Sequence, residues 1–337
     1  MTQPSYRPSE GHPMRRFAIF AAVLLIVVGV GSQPWNIGGN PGGWRGFLNS
    51  FHAHAKHANQ KDGKAIATAD GWAIRDCSGE DKNHTSWGWG HDQEHACEVR
   101  SITIAKPGTL NVSSMNGGIH VVGEDCQDVH VEARIEAWAG SASEAANILR
   151  EVQIETAGGT IRDKGPNFHW GHQGYGINYV IHAPKQLSAE LKTMNGGIGL
   201  EHLNGDLKFD TTNGGVDLSD LAGNVHGSTV NGGLDISLSG DRWDGKGLDA
   251  ETTNGGITLN IPENYSAHLE TGTVNGGIEV NFPITIQGEI KHHLTTDIGS
   301  GGPTIHAETT NGGVTLSHGS GVADNSSDSD DSSNGEA

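Results

Sequence analysis

Histidine is the residue type whose number and spacing first suggest chemistry in this sequence. The chain of 337 residues contains 19 histidines, and His52, His54 and His57 follow one another as His-x-His-x-x-His. Neutral imidazoles at this spacing can bind zinc or copper. His91 and His95 have the i, i+4 spacing, but the intervening glutamate is out of order for a zincin motif. Exposed histidines in a linker explain both groups, so we expect no metal cofactor, with His52, His54 and His57 as the remaining candidates.

Two other residue classes could form a binding or catalytic site. Asp217 and Asp235 occupy equivalent positions of a repeat, and two carboxylates can act as acid and base or bind Ca²⁺. No column of basic partners accompanies them, which favours a solvated acidic stripe. Aromatic residues cluster with glycine at residues 87–90 and 169–175, where their rings could stack on sugars or cover one end of the fold.

The sequence lacks the common catalytic patterns. We find no Ser/His/Asp or Cys/His arrangement and no phosphate-binding glycine loop. With 21 Lys and Arg against 40 Asp and Glu, the formal charge of −19 disfavours binding to nucleic acid. We therefore predict that the protein is not an enzyme, that it has no catalytic residues, and that nucleic acid is not a partner.

The N-terminal region predicts export. Residues 1–16 form a basic n-region, and residues 17–31 are uncharged and apolar, as in a signal peptide or a membrane anchor. We expect the remainder in the periplasm or on the cell surface, with membrane contact only through this segment. Residues 32–65 are predicted to be a linker, and residues 321–337 a disordered acidic tail.

An internal repeat dominates the rest of the chain. Asn-Gly-Gly occurs seven times, with spacings of 79, 18, 18, 23, 21 and 36 residues. The repeats begin at Asn116, Asn195, Asn213, Asn231, Asn254, Asn275 and Asn311. Apolar residues recur six before and three and five after each Asn, and a Ser or Thr lies two before it. Period two on both sides of the motif indicates strand, turn, strand, with one face of each strand buried.

Such a repeat predicts an all-β fold, a β-solenoid with coils of about 18 residues over residues 66–320. Glycine permits the tight corner through positive φ. We expect the Asn side chains to point inward and form a hydrogen-bonded ladder, and the Thr column to be buried. The 36-residue spacing, twice 18, suggests one additional coil between Asn275 and Asn311.

Residues 122–190 interrupt the repeat and are predicted to be an insertion or cap. They contain a strand pattern and a short helix that begins at Ser141 or Ser143. Among three cysteines, Cys77 and Cys97 are expected to form a disulfide in an oxidising compartment. We expect Cys126 to be buried as a small apolar residue.

The export signal, the strand-helix-strand insertion, the strand Tyr-Val-Ile-His-Ala-Pro and the following Leu-Lys-Thr-Met-Asn-Gly-Gly-Ile coil together resemble the bacterial putative-adhesin family, also called toastrack. The resemblance covers about residues 98–318 and implies a β-helical envelope protein without catalytic residues. Some members of that family accompany envelope-stress systems. The region 32–97, rich in Trp and His, departs from the resemblance.

These observations favour a non-enzymatic envelope scaffold or adhesin-like surface whose partner is an envelope protein or a glycan. The alternative is a carbohydrate-active β-helix enzyme, either a polysaccharide lyase or a hydrolase. A third hypothesis is a sensor of envelope stress that acts through a membrane partner. A cleft with clustered carboxylates and basic residues would support the enzyme, and a flat stack without a cleft would support the scaffold.

Overall fold

The structure is a computed structural model that describes residues 66–68, 70–77, 93–168, 173–284 and 291–319. The predicted n-region, export signal, linker and acidic tail lie outside these ranges, as do His52, His54 and His57. The described residues form strands almost throughout, with one α-helix. No helix among them is long and apolar enough to cross a membrane.

The first part of the described chain contains nine strands and the helix. They are β1 Ile66–Ala67, β2 Ala73–Asp76, β3 Glu94–Ala105, β4 Thr109–Asn116, β5 Ile119–Glu124, β6 Asp128–Ala139, α1 Ala142–Glu151, β7 Gln153–Glu155, β8 Thr160–Lys164 and β9 Gly174–Pro184. A single 3₁₀ turn, Ala157–Gly159, connects β7 to β8.

The repeats supply the remaining strands. They are β10 Ser188–Asn195, β11 Ile198–Glu201, β12 Asn204–Asn213, β13 Val216–Ser219, β14 Ala222–Asn231, β15 Leu234–Ser237, β16 Gly245–Asn254, β17 Ile257–Ile261, β18 Ala267–Asn275, β19 Ile278–Val280, β20 His293–Ile298, β21 Thr304–Asn311 and β22 Val314–His318.

Two sheets face each other across the core. One has twelve strands in the order β1-β2-β3-β6-β9-β5-β11-β13-β15-β17-β22-β19, and the other has ten in the order β20-β18-β21-β16-β14-β12-β10-β4-β8-β7. Each Asn-Gly-Gly turn joins a strand of the ten-stranded sheet to one of the twelve-stranded sheet. Neighbouring repeats pair in parallel, for example Asn195 opposite Asn213 and Asn213 opposite Asn231.

The period-two columns of the sequence form the core between the sheets. The position six before each Asn is buried in every repeat, and the residues three and five after it are buried in all but the last coil of the stack. The hydroxyl column is also buried. Thr211 donates to the carbonyl oxygen of Gly196 at 2.8 Å, and Thr229 donates to that of Gly214 at the same distance. Each Thr of this column therefore satisfies a backbone carbonyl of the neighbouring coil.

The first glycine of the motif is required for a reason that differs from our prediction. A Cβ on Gly196, Gly214, Gly232 or Gly255 would overlap the carbonyl oxygen of the preceding coil's glycine. A positive φ is found among the first glycines only at Gly117 and Gly312. Close approach of stacked backbones, more than left-handed geometry, explains most of these glycines.

The last repeats do not stack in chain order. β21 pairs with β16 on one side, with Asn254 opposite Asn311, and with β18 on the other, with Asn275 opposite Asn311. The Asn311 coil therefore lies between the coils of Asn254 and Asn275. The suggestion of one additional coil between Asn275 and Asn311 is wrong, because these two coils are direct neighbours. The intervening residues instead contain β20, which pairs antiparallel with β18 and borders the sheet.

The region between the first two repeats extends the twelve-stranded sheet with antiparallel strands. β6 pairs with β3 and β9, and α1 packs on β3 and β6 through Ala145, Ile148 and Leu149. Ser141 caps the helix by accepting a hydrogen bond from the backbone N–H of Glu144. The guanidinium of Arg100 donates to the carbonyl oxygens of Leu149 and Val152, which satisfies the helix C-terminus.

The cysteines divide between a disulfide and an exposed thiol. Cys77, directly after β2, is bonded to Cys97 in β3, with Cα atoms 5.7 Å apart. The expectation that Cys126 is buried is wrong, because it lies exposed in the turn between β5 and β6. Desolvation and the neighbouring carboxylates of Glu124, Asp128 and Asp125 raise the pKa of its thiol, which favours the unreactive protonated form.

Candidate functional site

The Asn ladder forms, but it does so on the outside of the molecule. The side-chain amide of each Asn donates to the carboxamide oxygen of the next Asn in the stack at 2.8–2.9 Å. The prediction that these side chains point inward is wrong, since the five from Asn213 onward are exposed and Asn116 and Asn195 are half-buried. The chain turns out of the strand at this corner, so the period-two rule that places the Thr inward no longer holds for the Asn.

A large concave surface of the described residues lies beside the first two corners. A groove of about 830 Å³ runs between the end of β4, the end of β6, the segment after β8 and the start of β9. Its volume is in the range of typical small-molecule sites, about 300–1,000 Å³. The lining includes the aromatic residues Trp138, Phe168 and Tyr175, and the methionines Met115 and Met194.

Two glycines allow the aromatic rings to lie against the backbone. Trp138 is opposite Gly174 in the pairing of β6 with β9, and a Cβ on Gly174 would lie 2.6 Å from the indole ring. A Cβ on Gly165 would lie 2.6 Å from Cζ of Tyr175. Each ring therefore packs directly on the backbone of a glycine, and both rings are half-buried beside the groove.

The apolar wall of the groove is exposed to solvent. The side chains of Met115 and Met194, each directly before an Asn of the ladder, are 58% and 50% exposed. Both methionines line the groove. Thioethers are flexible and polarizable, so this wall can adapt to a ligand more readily than a branched side chain could.

Polar groups converge on the same groove. The phenol of Tyr175 donates a hydrogen bond to Asp163 at 3.0 Å. Burial raises the pKa of Asp163 and also the pKa of Tyr175. Behind them the hydroxyl of Tyr179 is buried and makes no hydrogen bond within the described residues. Burial and the carboxylate of Asp163 raise the pKa of Tyr179, so both tyrosines keep their phenol protons.

The basic residues at the rim of the groove are paired with a carboxylate. Glu155 pairs with Arg162 at 2.6 Å and also with Lys164. These hydrogen bonds lower the pKa of Glu155. The pairs are exposed, so they contribute little to stability, but they fix a planar guanidinium and an ammonium beside the groove. Among the described lining residues Asp163 is the single carboxylate.

Asp163 gives the first testable prediction. A carboxyl group whose pKa is raised in the folded protein contributes stability below its unfolded pKa, about 3.9, and loses that contribution as the pH rises. Asp163→Asn keeps an acceptor for Tyr175 without the charge. We expect the melting temperature of this variant, relative to the unmodified protein, to be higher at pH 7 than at pH 3. Asp210→Asn, at an exposed position, is the control and should show no such change.

Most of the other candidate residues predicted from the sequence do not line the groove. Asp217 and Asp235 face each other on β13 and β15, as their repeat positions suggest. They lie on another sheet from β8, and neither lines the groove. Residues 87–90 and 169–172 lie outside the described residues. Of the aromatic segment 169–175, Tyr175 lines the groove, whereas Trp138 was missed because its strand shows no motif.

Comparison with known proteins agrees with the resemblance. Residues 174–317 match the family described as Toastrack DUF4097, which confirms the predicted resemblance over that range. No curated protein matches the sequence.

Solved structures share broad features with this chain at low identity. A putative cell adhesion protein from Clostridium sporogenes is 14% identical, with 67% of this chain and 100% of that chain covered and a TM-score of 0.38. A putative lipid binding protein from Parabacteroides distasonis is 12% identical, covering 67% and 97%, with a TM-score of 0.28. A putative adhesin from Bacteroides fragilis is 11% identical, covering 68% and 98%, with a TM-score of 0.27.

Proposed function

We propose that this chain, whose residues 174–317 form a toastrack domain, is a non-catalytic, exported binding protein that recognises carbohydrate. In this proposal a β-solenoid with coils of about 18 residues is the rigid support, and the groove beside its first two corners is the binding site. The observation that carries the proposal is the groove itself, with Trp138, Phe168 and Tyr175 next to several planar polar side chains.

The chemistry of the groove suits a sugar better than a lipid. A pyranose ring has an apolar face of C–H groups that packs on an aromatic ring and an edge of hydroxyls that needs hydrogen bonds. Around the rings lie Asp163, Asn167, Gln173 and Arg162, which together offer both donors and acceptors. A lipid chain would leave these polar groups desolvated and unpaired, at a cost in affinity.

The same residues argue against glycoside hydrolysis. Hydrolysis of a glycosidic bond normally uses two carboxyl groups about 5–9.5 Å apart. The described lining of the groove contains only Asp163. That residue has a raised pKa and could donate a proton, but no second carboxylate faces it there. Binding without turnover is therefore the expected outcome.

Export is supported by the sequence and by the disulfide. The apolar segment 17–31 follows a basic n-region, and the bond between Cys77 and Cys97 fits an oxidising compartment. The position proposed for the protein is the cell envelope, either anchored or released. Cell fractionation of the full chain tests this, and recovery in the cytoplasm with both thiols reduced would contradict it.

A glycan array followed by calorimetry tests the binding function. We expect the full chain to bind a subset of bacterial or host surface oligosaccharides, and Trp138→Ala to weaken binding about 30-fold. Truncation of a central aromatic anchor typically costs about 2 kcal/mol, which corresponds to that factor. The control is Phe282→Ala at the other end of the stack, which removes a partly buried ring whose centroid lies 4.2 Å from that of the tilted His318 ring.

Three results would contradict the proposal. The first is that no oligosaccharide binds. The second is that Trp138→Ala and Phe282→Ala weaken binding equally, which would indicate a loss of fold rather than of a site. The third is that phospholipid vesicles bind and oligosaccharides do not. Release of new reducing ends or unsaturated sugars from a bound polysaccharide would instead support the alternative, a carbohydrate-active enzyme.

A further inference from the structure

The exposed large apolar side chains of the described residues all lie in one column of the repeat. They are Met115, Met194, Val230 and Val274, and each stands directly before an Asn of the ladder. The other three repeats carry threonine at this position, at Thr212, Thr253 and Thr310. Since Asn is opposite Asn in every pair of neighbouring repeats, the residues before them are also in register. These seven side chains, each ending in a methyl group, form a continuous row that we call the methyl row.

The methyl row contains no charged residue, although the next column on the same face does. Two residues earlier in each repeat, where side chains share that face, the sequence has Lys192, Asp210, Glu251 and Glu308. On its other side the methyl row is followed by the Asn ladder and by the two glycines of the motif. The corner therefore presents an uncharged strip, a row of methyl groups beside a row of amides, on a chain whose formal charge is −19.

The strip begins in the groove. Met115 and Met194, the first two members of the methyl row, line the groove together with Asn116, the first member of the ladder. From there the row continues through Thr212 and Val230 toward the other end of the stack. Neighbouring strands are about 4.8 Å apart, so the strip across all the repeats is about 29 Å long. A ligand bound in the groove can therefore extend along the strip without crossing a charged column.

The Asn ladder offers hydrogen bonds at every step of the strip. A carboxamide has two N–H donors and an oxygen with two lone pairs. Each link of the ladder uses one N–H and one lone pair, as in the bond from Asn213 to Asn195 at 2.9 Å. The exposed carboxamides from Asn213 onward therefore keep a second N–H and a second lone pair for a ligand. A sugar hydroxyl, which both donates and accepts, suits this pair, and the methyl row can pack on the C–H groups of the ring.

The dimensions of the strip suit a single extended chain better than a folded partner. From the methyl row to the second glycine is three residues, or about 10 Å at about 3.3 Å per residue, so the strip covers roughly 300 Å². A stable protein interface buries about 800 Å² on each partner. A second protein, or a second copy of this chain, would have to cover and desolvate the charged column as well. A linear glycan needs only the strip.

We propose that the carbohydrate bound by this chain is a neutral, linear polysaccharide that leaves the groove along the strip toward Val274. The inference rests on the proposed carbohydrate-binding function and adds the class of glycan and the path that it follows. The aromatic rings of the groove hold one part of the polymer, and the methyl row and the ladder hold the sugar units that follow. Negatively charged polysaccharides are disfavoured, because the column beside the methyl row has three carboxylates, Asp210, Glu251 and Glu308, and one lysine.

The dependence of affinity on oligosaccharide length tests the path. The probes are the disaccharide and the hexasaccharide of the cellulose, chitin, laminarin and dextran series, all neutral, titrated into the full chain by calorimetry. In at least one series we expect the hexasaccharide to bind about tenfold or more tightly than the disaccharide. Val230 lies two strand spacings beyond Met194, about 10 Å. Val230→Lys places a charge on the strip there and should remove this gain while leaving the affinity for the disaccharide unchanged.

The matched control is Ser228→Lys, which adds the same charge two residues earlier on the same face of β14, opposite Asp210 and Glu251 of the neighbouring strands. It should leave both affinities unchanged, and urea unfolding verifies that both variants are folded. Equal affinity for short and long oligomers, or equal losses in the two lysine variants, would overturn the path but not carbohydrate binding. The same holds if no neutral probe binds although the glycan array finds other saccharides. If no saccharide of any kind binds, the proposed function itself is wrong.

Discussion

Replacing Gly214 by alanine is expected to destabilise the whole stack by about 3 kcal/mol or more, since a methyl group forced against fixed backbone cannot be accommodated by rotation. A Cβ at this position would overlap the carbonyl oxygen of Gly196 and its neighbouring backbone atoms. The two coils would have to separate, which would also stretch the hydrogen bond from Thr211 to Gly196. Equilibrium unfolding in urea, with the unmodified chain as reference, measures the difference.

The control for this prediction is another glycine of the same motif. Gly277 is the second glycine of its corner, and no atom lies within 4 Å of the position its Cβ would take. Gly277→Ala should therefore change the free energy of unfolding by less than about 1 kcal/mol. Equal losses for Gly214→Ala and Gly277→Ala would show that conformational freedom, rather than the close approach of coils, explains the motif.

The second large effect is expected from removing the coil of Asn311, which lies between the coils of Asn254 and Asn275. A chain ending at residue 303 lacks β21 and β22, whose side chains Ile305, Val314 and Leu316 are almost completely buried. Full burial of each such side chain is worth about 1.5–3 kcal/mol, so the loss should be about 5 kcal/mol or more. The coils of Asn254 and Asn275 would also lose the strand that pairs with both.

A shorter truncation is the control for this deletion. Removal of residues 320–337 leaves every described strand in place and should not change the unfolding midpoint. Hydrogen exchange locates the effect, because the amides of β16 and β18 should lose protection in the longer deletion. Retention of full stability by the chain ending at residue 303 would mean that β18 pairs directly with β16 and that intercalation is dispensable.

The repeat made most of the fold predictable. The apolar columns and the Thr column follow from period two around each Asn, and the structure buries them as expected. The exposure of the Asn side chains could not be read in the same way, since the corner changes the direction of the chain. Nor could the order of the last coils, because Asn275 and Asn311 have nearly the same flanking residues and either could follow Asn254.

The candidate sites depend on contacts that no local pattern encodes. The groove combines residues from β4, β6, β8, β9 and β10, and only Gln173, Gly174 and Tyr175 belong to the aromatic segment that composition distinguishes. The ion pair between Asp249 and His306 likewise exists only because β21 inserts beside β16, which sequence spacing did not reveal. In both cases the sequence shows which residue types are present, but the order of the strands decides which of them come into contact.

The Asn ladder has a polarity of its own. In all six hydrogen bonds the amide on the Asn275 side donates and the oxygen on the Asn116 side accepts, so the linked carboxamide dipoles point the same way. Aligned hydrogen-bonded amides polarise one another, and each link strengthens the next. The ladder thus acts along the stack axis much as peptide dipoles do along a helix, and replacing a central Asn would uncouple two half-chains rather than remove one bond.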